Sequence, residues 1–189
     1  MSQAVFFFGG FQASQQHVDA WRQSAKQQKP AIDFHAFPWP AGVTKADDRS
    51  AIEGFKRHGV RDAVIGDIQG ADADTIFIVG HSSGCAIAND VDANLKDTQH
   101  IALVSLDGFR PSAAQLDRDT TQVWGAICEG VTSLHFPAMS QRRREVYTAT
   151  GCKLMWPLHF SLVNTNARDG QVTGTGDGYA DCKANLCFL

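Results

Sequence analysis

Short apolar runs alternate with longer polar or amphipathic stretches along the whole chain. The runs are Ala4 to Phe8, Ile32 to Phe37, Thr75 to Val79, Ile101 to Leu106, Gln122 to Cys128 and Glu145 to Thr150. The first five are rich in Val, Ile and Phe and nearly continuous in hydrophobicity, the pattern of strands covered on both faces in a parallel sheet. Between them Ser14 to Lys29, Ala46 to Ile68 and Ser83 to Leu95 are each long enough for a helical crossover, and shorter segments follow Pro111 and Pro137. This rhythm predicts an α/β fold: an open, mostly parallel sheet of about six strands with right-handed crossovers and helices on both faces. In such sheets ligands sit outside the carboxyl ends of the strands. The residues that follow the runs are Gly9-Gly10-Phe11, Pro38-Trp39-Pro40, Gly80 to Gly84, Asp107-Gly108-Phe109, Glu129-Gly130 and Gly151 to His159.

Composition narrows the picture. With 43% hydrophobic and 20% charged residues the chain lies well outside the regime of disorder. Its 189 residues predict one domain, residues 1–189, with a core burying about 70% of the unfolded surface. Seventeen Lys and Arg against 20 Asp and Glu give a net charge of −3, which lacks the basic footprint of a protein that tracks phosphates. Nucleic acid is therefore excluded as the main partner. No run approaches the roughly 20 apolar residues of a membrane span, and the N-terminal run lacks a basic flank and a cleavage site. The cysteines, Cys85, Cys128, Cys152, Cys182 and Cys187, show no metal-binding spacing. Reduced thiols in a cytoplasm are expected. Cys182 and Cys187 are close enough to pair only in an oxidising compartment.

The chemistry-bearing segment is Gly80-His81-Ser82-Ser83-Gly84. It is a G-x-S-x-G turn between a β-type run and an Ala-rich helical start, the context in which that pentapeptide is informative. A Cβ at either glycine would collide with neighbouring backbone, and the turn holds Ser82 exposed at the strand tip. A serine hydroxyl needs a base to take its proton, and the base needs an acid to orient it. His159 follows the last strand-like run, with His135 as its rival. His17, His58 and His100 read as solvated, and His35 as a satisfied core residue. Asp107 ends the first run after the serine, 25 residues on, and Glu129 ends the next; the tight Asp107-Gly108 turn favours Asp107. Donors for a developing oxyanion are the Ser83 N–H and one from Gly10 or Phe11, where glycine lets the main chain approach closely.

These residues, in the order Ser82, Asp107, His159, resemble the α/β-hydrolases, and the match runs from Gly9-Gly10 to His159. The chain departs from the family in starting at the strand before the oxyanion loop and in leaving no room for a cap domain. The short interval from Ser82 to Leu106-Asp107-Gly108 is similar to that in thioesterase domains of fatty-acid, polyketide and nonribosomal-peptide synthesis. The resemblance implies a serine hydrolase acting on an ester or thioester, including a carrier-bound acyl group, without metal or organic cofactor. The alternatives are a hydrolase-fold binding or interaction protein with little turnover and a peptidase or amidase with the same triad.

Phe11, Trp39, Phe109 and Trp156 fall beside the expected site, either lining an acyl pocket or packing loops onto the sheet. Arg142-Arg143-Arg144 reads as a solvated helix face, with binding of a phosphopantetheine carrier or an anionic surface as the alternative. Cys85 is expected to pack. The segment Tyr179 to Leu189 suggests only edge packing.

Overall fold

A computed structural model describes residues 1–95, 100–106, 121–126, 159–167, 176–186 and 188–189. Five strands, β1 (Gln3–Phe8), β2 (Asp33–Phe37), β3 (Thr75–His81), β4 (His100–Leu106) and β5 (Thr121–Ala126), form one sheet in the order β2-β1-β3-β4-β5. All four pairings are parallel. Each strand overlaps one of the first five apolar runs. The run from Glu145 to Thr150 lies outside the described residues.

The reason for the unbroken hydrophobicity is visible in how successive residues are shared. In β1, Val5 and Phe7 pack with Val18, Trp21 and Ala25 of α1 (Gln15–Gln28), whereas Ala4, Phe6 and Phe8 pack with the helices of the opposite face. Those are α2 (Asp48–Lys56), α3 (Val60–Gly70) and α4 (Gly84–Ala93), through Ala51, Phe55, Ile68, Ile87 and Val91. The central strands β1, β3 and β4 are thus covered on both faces, and each fully buried Phe or Ile stabilises the fold by about 1.5–3 kcal/mol. Phe7 and Trp21 stack with ring centres 4.1 Å apart, fastening α1 to the centre of the sheet.

Local chemistry sets the helix ends. Ser14 caps α1 by accepting from the His17 backbone N–H at 3.3 Å, and its own N–H donates to His17 Nδ1 at 3.1 Å, a reciprocal box. The expected crossover from Ala46 to Ile68 is two helices instead of one. His58 and Gly59 take left-handed φ values of 57° and 73°, ending α2 and restarting the chain as α3. His35 is also not a core residue. It lies on the edge strand β2, half-exposed, stacked on Phe6 at 4.5 Å and bonded to Asp33 at 2.9 Å.

The C-terminal segment does more than pack an edge. Phe160, Leu162, Val163, Tyr179, Ala184 and Phe188 are buried in the α1-side core. Buried Asn164 joins its two parts: its amide donates to the Gly178 and Ala180 carbonyls at 2.8 and 3.1 Å, and its Oδ1 accepts from the Asn166 and Lys183 N–H groups. Ser24 and Gln28 of α1 hold the Ala184 backbone at 3.0 and 2.9 Å.

Candidate active site

In this strand order the chain leaves β1 toward β2 on one side and returns to β3 on the other, so the β1–β3 boundary is the topological switch point, where α/β sheets open a crevice. The two strands stop pairing at Phe8 and Gly80. Gly9 to Phe11 and the turn at Ser82 therefore emerge side by side.

Ser82 has a φ of 53°, in the left-handed region that residues with a Cβ rarely enter. Such an outlier persists only where its surroundings hold it, and it marks functional turns more often than other places. Two bonds hold this one: the Ser82 N–H donates to the Leu106 carbonyl at the end of β4 at 2.9 Å, and the Ser82 carbonyl accepts from the Cys85 N–H at 3.1 Å. A Cβ on Gly80 would lie 2.4 Å from the Cys85 Cα, so the helix can turn back this sharply only because position 80 has none. The expected backbone collision is what the structure contains. Cys85 is fully buried, its thiol 3.0 Å from the Gly80 carbonyl.

Ser83 begins the helix with its hydroxyl donating to the Ala46 carbonyl at 2.9 Å, which fastens the loop after β2 to the turn. Its backbone N–H meets no acceptor among the described residues, and neither does that of Phe11. The Gly10 N–H differs: it donates to the Tyr179 hydroxyl at 3.3 Å. Trp39 is buried, its indole N–H donating to the Val43 carbonyl at 2.8 Å and its ring meeting Phe11 edge-on at 5.5 Å. It holds the loop after β2 in shape, while half-buried Phe11 stands nearer the crevice.

Asp107, Phe109, Glu129 and Trp156 lie outside the described residues, as do His135 and Arg142 to Arg144. The strand before Asp107 ends in register with the turn, Leu106 opposite His81. His159 opens the short helix His159–Leu162, described for its backbone. The next residue, Phe160, packs its ring into the corner formed by His81 and Tyr179, 5.3 Å and 5.6 Å from their rings.

Two residues of this corner were not singled out by sequence reasoning. His81 is fully buried with Nδ1 2.9 Å from the Tyr179 hydroxyl. Tyr179 comes from the far end of the chain, and the only local signal for it was an aromatic after a glycine-rich stretch. Two open grooves, of about 450 and 550 Å³, share Asp33 and lie along the start of β2, away from Ser82. Among the described residues no group of acidic, His or Cys side chains is arranged to hold a metal ion, and no helix is long and apolar enough to cross a membrane.

No family model matches the chain, and no curated protein matches it. Among solved structures it is similar to a protein from Xanthomonas campestris pv. campestris assigned as a hydrolase of the α/β superfamily, with 14% identity and a TM-score of 0.43 over 76% of this chain and 83% of that one. It is also similar to an extracellular α/β-hydrolase from a Paenibacillus species, with 16% identity and a TM-score of 0.42 over 97% of this chain and 66% of that one.

Proposed function

We propose that the chain is a single-domain serine hydrolase of the α/β-hydrolase type that cleaves an ester or thioester through an acyl-enzyme. The observation that carries this reading is Ser82 at φ 53°, between two glycines, at the sheet's switch point. A plain strand-to-helix connection has no need of a strained, partly exposed serine there.

In this mechanism Ser82 Oγ attacks the substrate carbonyl while His159 takes its proton. Asp107, with Glu129 as the alternative, orients the imidazole and offsets its positive charge. The tetrahedral oxyanion is held by the N–H groups of Ser83 and Phe11, since the Gly10 N–H is already engaged by Tyr179. His159 returns the proton to the leaving alcohol or thiol, and water attacks the acyl-enzyme by the same route in reverse. Side chains, backbone amides and water suffice for these steps. An apolar acyl group beside Phe11, which Trp39 backs from within the loop, with Phe109 and Trp156 as further candidates for the wall, is the expected substrate part, free or on a carrier. A cytoplasmic setting with reduced thiols belongs to the same reading.

Labelling with a fluorophosphonate probe tests the reading. Wild-type protein should label and Ser82→Ala should not; equal labelling of the two removes Ser82 as nucleophile. A screen of p-nitrophenyl esters and acyl thioesters of increasing chain length then reads the substrate class, and binding without product release in every case would point to the binding-protein alternative.

A further inference from the structure

We propose that Tyr179 is a positioning residue of this site, its hydroxyl bridging the loop after β1 to the residue that precedes Ser82. The inference rests on the hydrolase reading and adds a part of the chain to it. Beyond the Phe8–Gly80 pair the β-ladder ends, and no backbone hydrogen bond among the described residues joins Gly9 to Phe11 with His81 to Ser83. The phenol supplies the missing link: the Gly10 N–H donates to Oη at 3.3 Å, and Oη lies 2.9 Å from His81 Nδ1.

All three partners are buried, with Tyr179 2% and His81 0% exposed. Burial pushes the Tyr179 phenol well up from its ordinary range, so it keeps its proton. A phenol that accepts from Gly10 still has one O–H to place, and His81 Nδ1 is the acceptor within reach. The bridge therefore fixes His81 as the neutral tautomer with its hydrogen on Nε2.

The ring cannot swing away. It stacks on His17 at 5.8 Å and is met edge-on by Phe160 at 5.6 Å and Phe7 at 6.5 Å. A fixed ring gives a fixed hydroxyl, which sets the distance between Phe11, next to Gly10, and Ser83, two residues after His81. Those two carry the amides assigned to the oxyanion. The spacing is close enough to matter: a Cβ on Gly10 would come within 2.9 Å of the Ser82 Cβ. A shift of about 1 Å in such an arrangement is enough to weaken catalysis severely.

The test compares Tyr179→Phe, which deletes only the hydroxyl, with Phe188→Leu, which loosens the same buried C-terminal packing without touching the bridge. Labelling at Ser82, steady-state ester hydrolysis and the His81 imidazole ¹⁵N resonances are measured for both and for the wild type. Tyr179→Phe is expected to lower kcat about tenfold, less than the loss of an oxyanion donor itself, with KM within about twofold. Its His81 Nδ1 resonance should also move from the hydrogen-bonded acceptor position. Phe188→Leu should lower the melting temperature while the folded protein keeps its kcat and that resonance. A kcat for Tyr179→Phe within about twofold of wild type, or an equal fall in both variants, overturns the positioning role. A wild-type spectrum with the proton on His81 Nδ1 overturns the bridge, and needs no variant to fold. Wild-type protein that fails to label overturns the hydrolase reading and the catalytic role together, and the ¹⁵N spectrum separates that result from failure of the bridge.

Discussion

The first residue of α4, Gly84, lies against the last residue of β1: a Cβ on Gly84 would sit 2.4 Å from the Phe8 carbonyl oxygen and 2.6 Å from that of Gly9. The helix after the serine is thus seated directly on the neighbouring strand's end, and this contact brings the β1 loop to the serine. Gly84→Ala has only backbone to push against. We expect it to destabilise the protein by about 3 kcal/mol, at the upper end for overpacking, and to slow probe labelling even where the protein remains folded. Urea denaturation with labelling kinetics checks both; an unchanged midpoint would contradict the contact.

Ser82 itself stores strain. A residue with a Cβ at φ 53° costs roughly 1–2 kcal/mol relative to its favoured regions, whereas glycine adopts that angle freely. Glycine loses more backbone freedom on folding, by roughly 0.5–1 kcal/mol. Ser82→Gly should therefore be more stable than Ser82→Ala by up to about 1.5 kcal/mol. Both variants lack the hydroxyl, so chemical denaturation isolates the backbone term. If Ser82→Ala is the more stable of the two, the turn is not strained.

How much of this was legible in the sequence follows from the range of each signal. The strands were readable because burial on both faces leaves continuous apolar runs, and Val5 and Phe7 share their run with Phe6 and Phe8 although they serve different cores. The serine turn was readable because the glycines that permit it stand within two residues of Ser82. The break at His58 and Gly59 was not anticipated, although Gly59 within an amphipathic stretch carried a signal for it. Tyr179 was out of reach of local pattern. Its partner Gly10 is 169 residues away, and nothing near position 179 records that an amide and an imidazole wait for its hydroxyl.

Asn164 shows how the C-terminal segment is kept beside the site. Its side chain makes four hydrogen bonds while 1% exposed, so Asn164→Ala removes them, leaving the buried Gly178 carbonyl without this donor and three part-buried bonds lost. A lost hydrogen bond costs about 0.5–1.5 kcal/mol and a buried group left unsatisfied about 1–3, so a loss of about 3 kcal/mol is expected. Hydrogen exchange should show the effect concentrated in residues 176–186 rather than in β1 or β3. Uniformly faster exchange would mean that the segment does not depend on this residue.

Cys182 gives the pH prediction. Burial pushes its thiol up to about 12 from an ordinary value of 9.0. Below pH 9 the thiol is protonated in both folded and unfolded chains and contributes no pH dependence. Between 9 and about 12 the unfolded chain releases a proton that the folded chain retains, so stability falls as the pH rises. The fully buried Tyr179 phenol, also raised, adds to the same alkaline limb from about pH 10 upward, where the unfolded chain begins to release its proton. Cys182→Ala should flatten the decline between pH 9 and 10, where the thiol contributes and the phenol does not yet, and leave the slope around pH 7 unchanged. The native thiol should also react slowly with iodoacetamide at pH 8, because the nucleophile is the thiolate and burial withholds it. Melting curves across this range decide the matter, and an alkaline limb equally steep in Cys182→Ala would place its origin elsewhere.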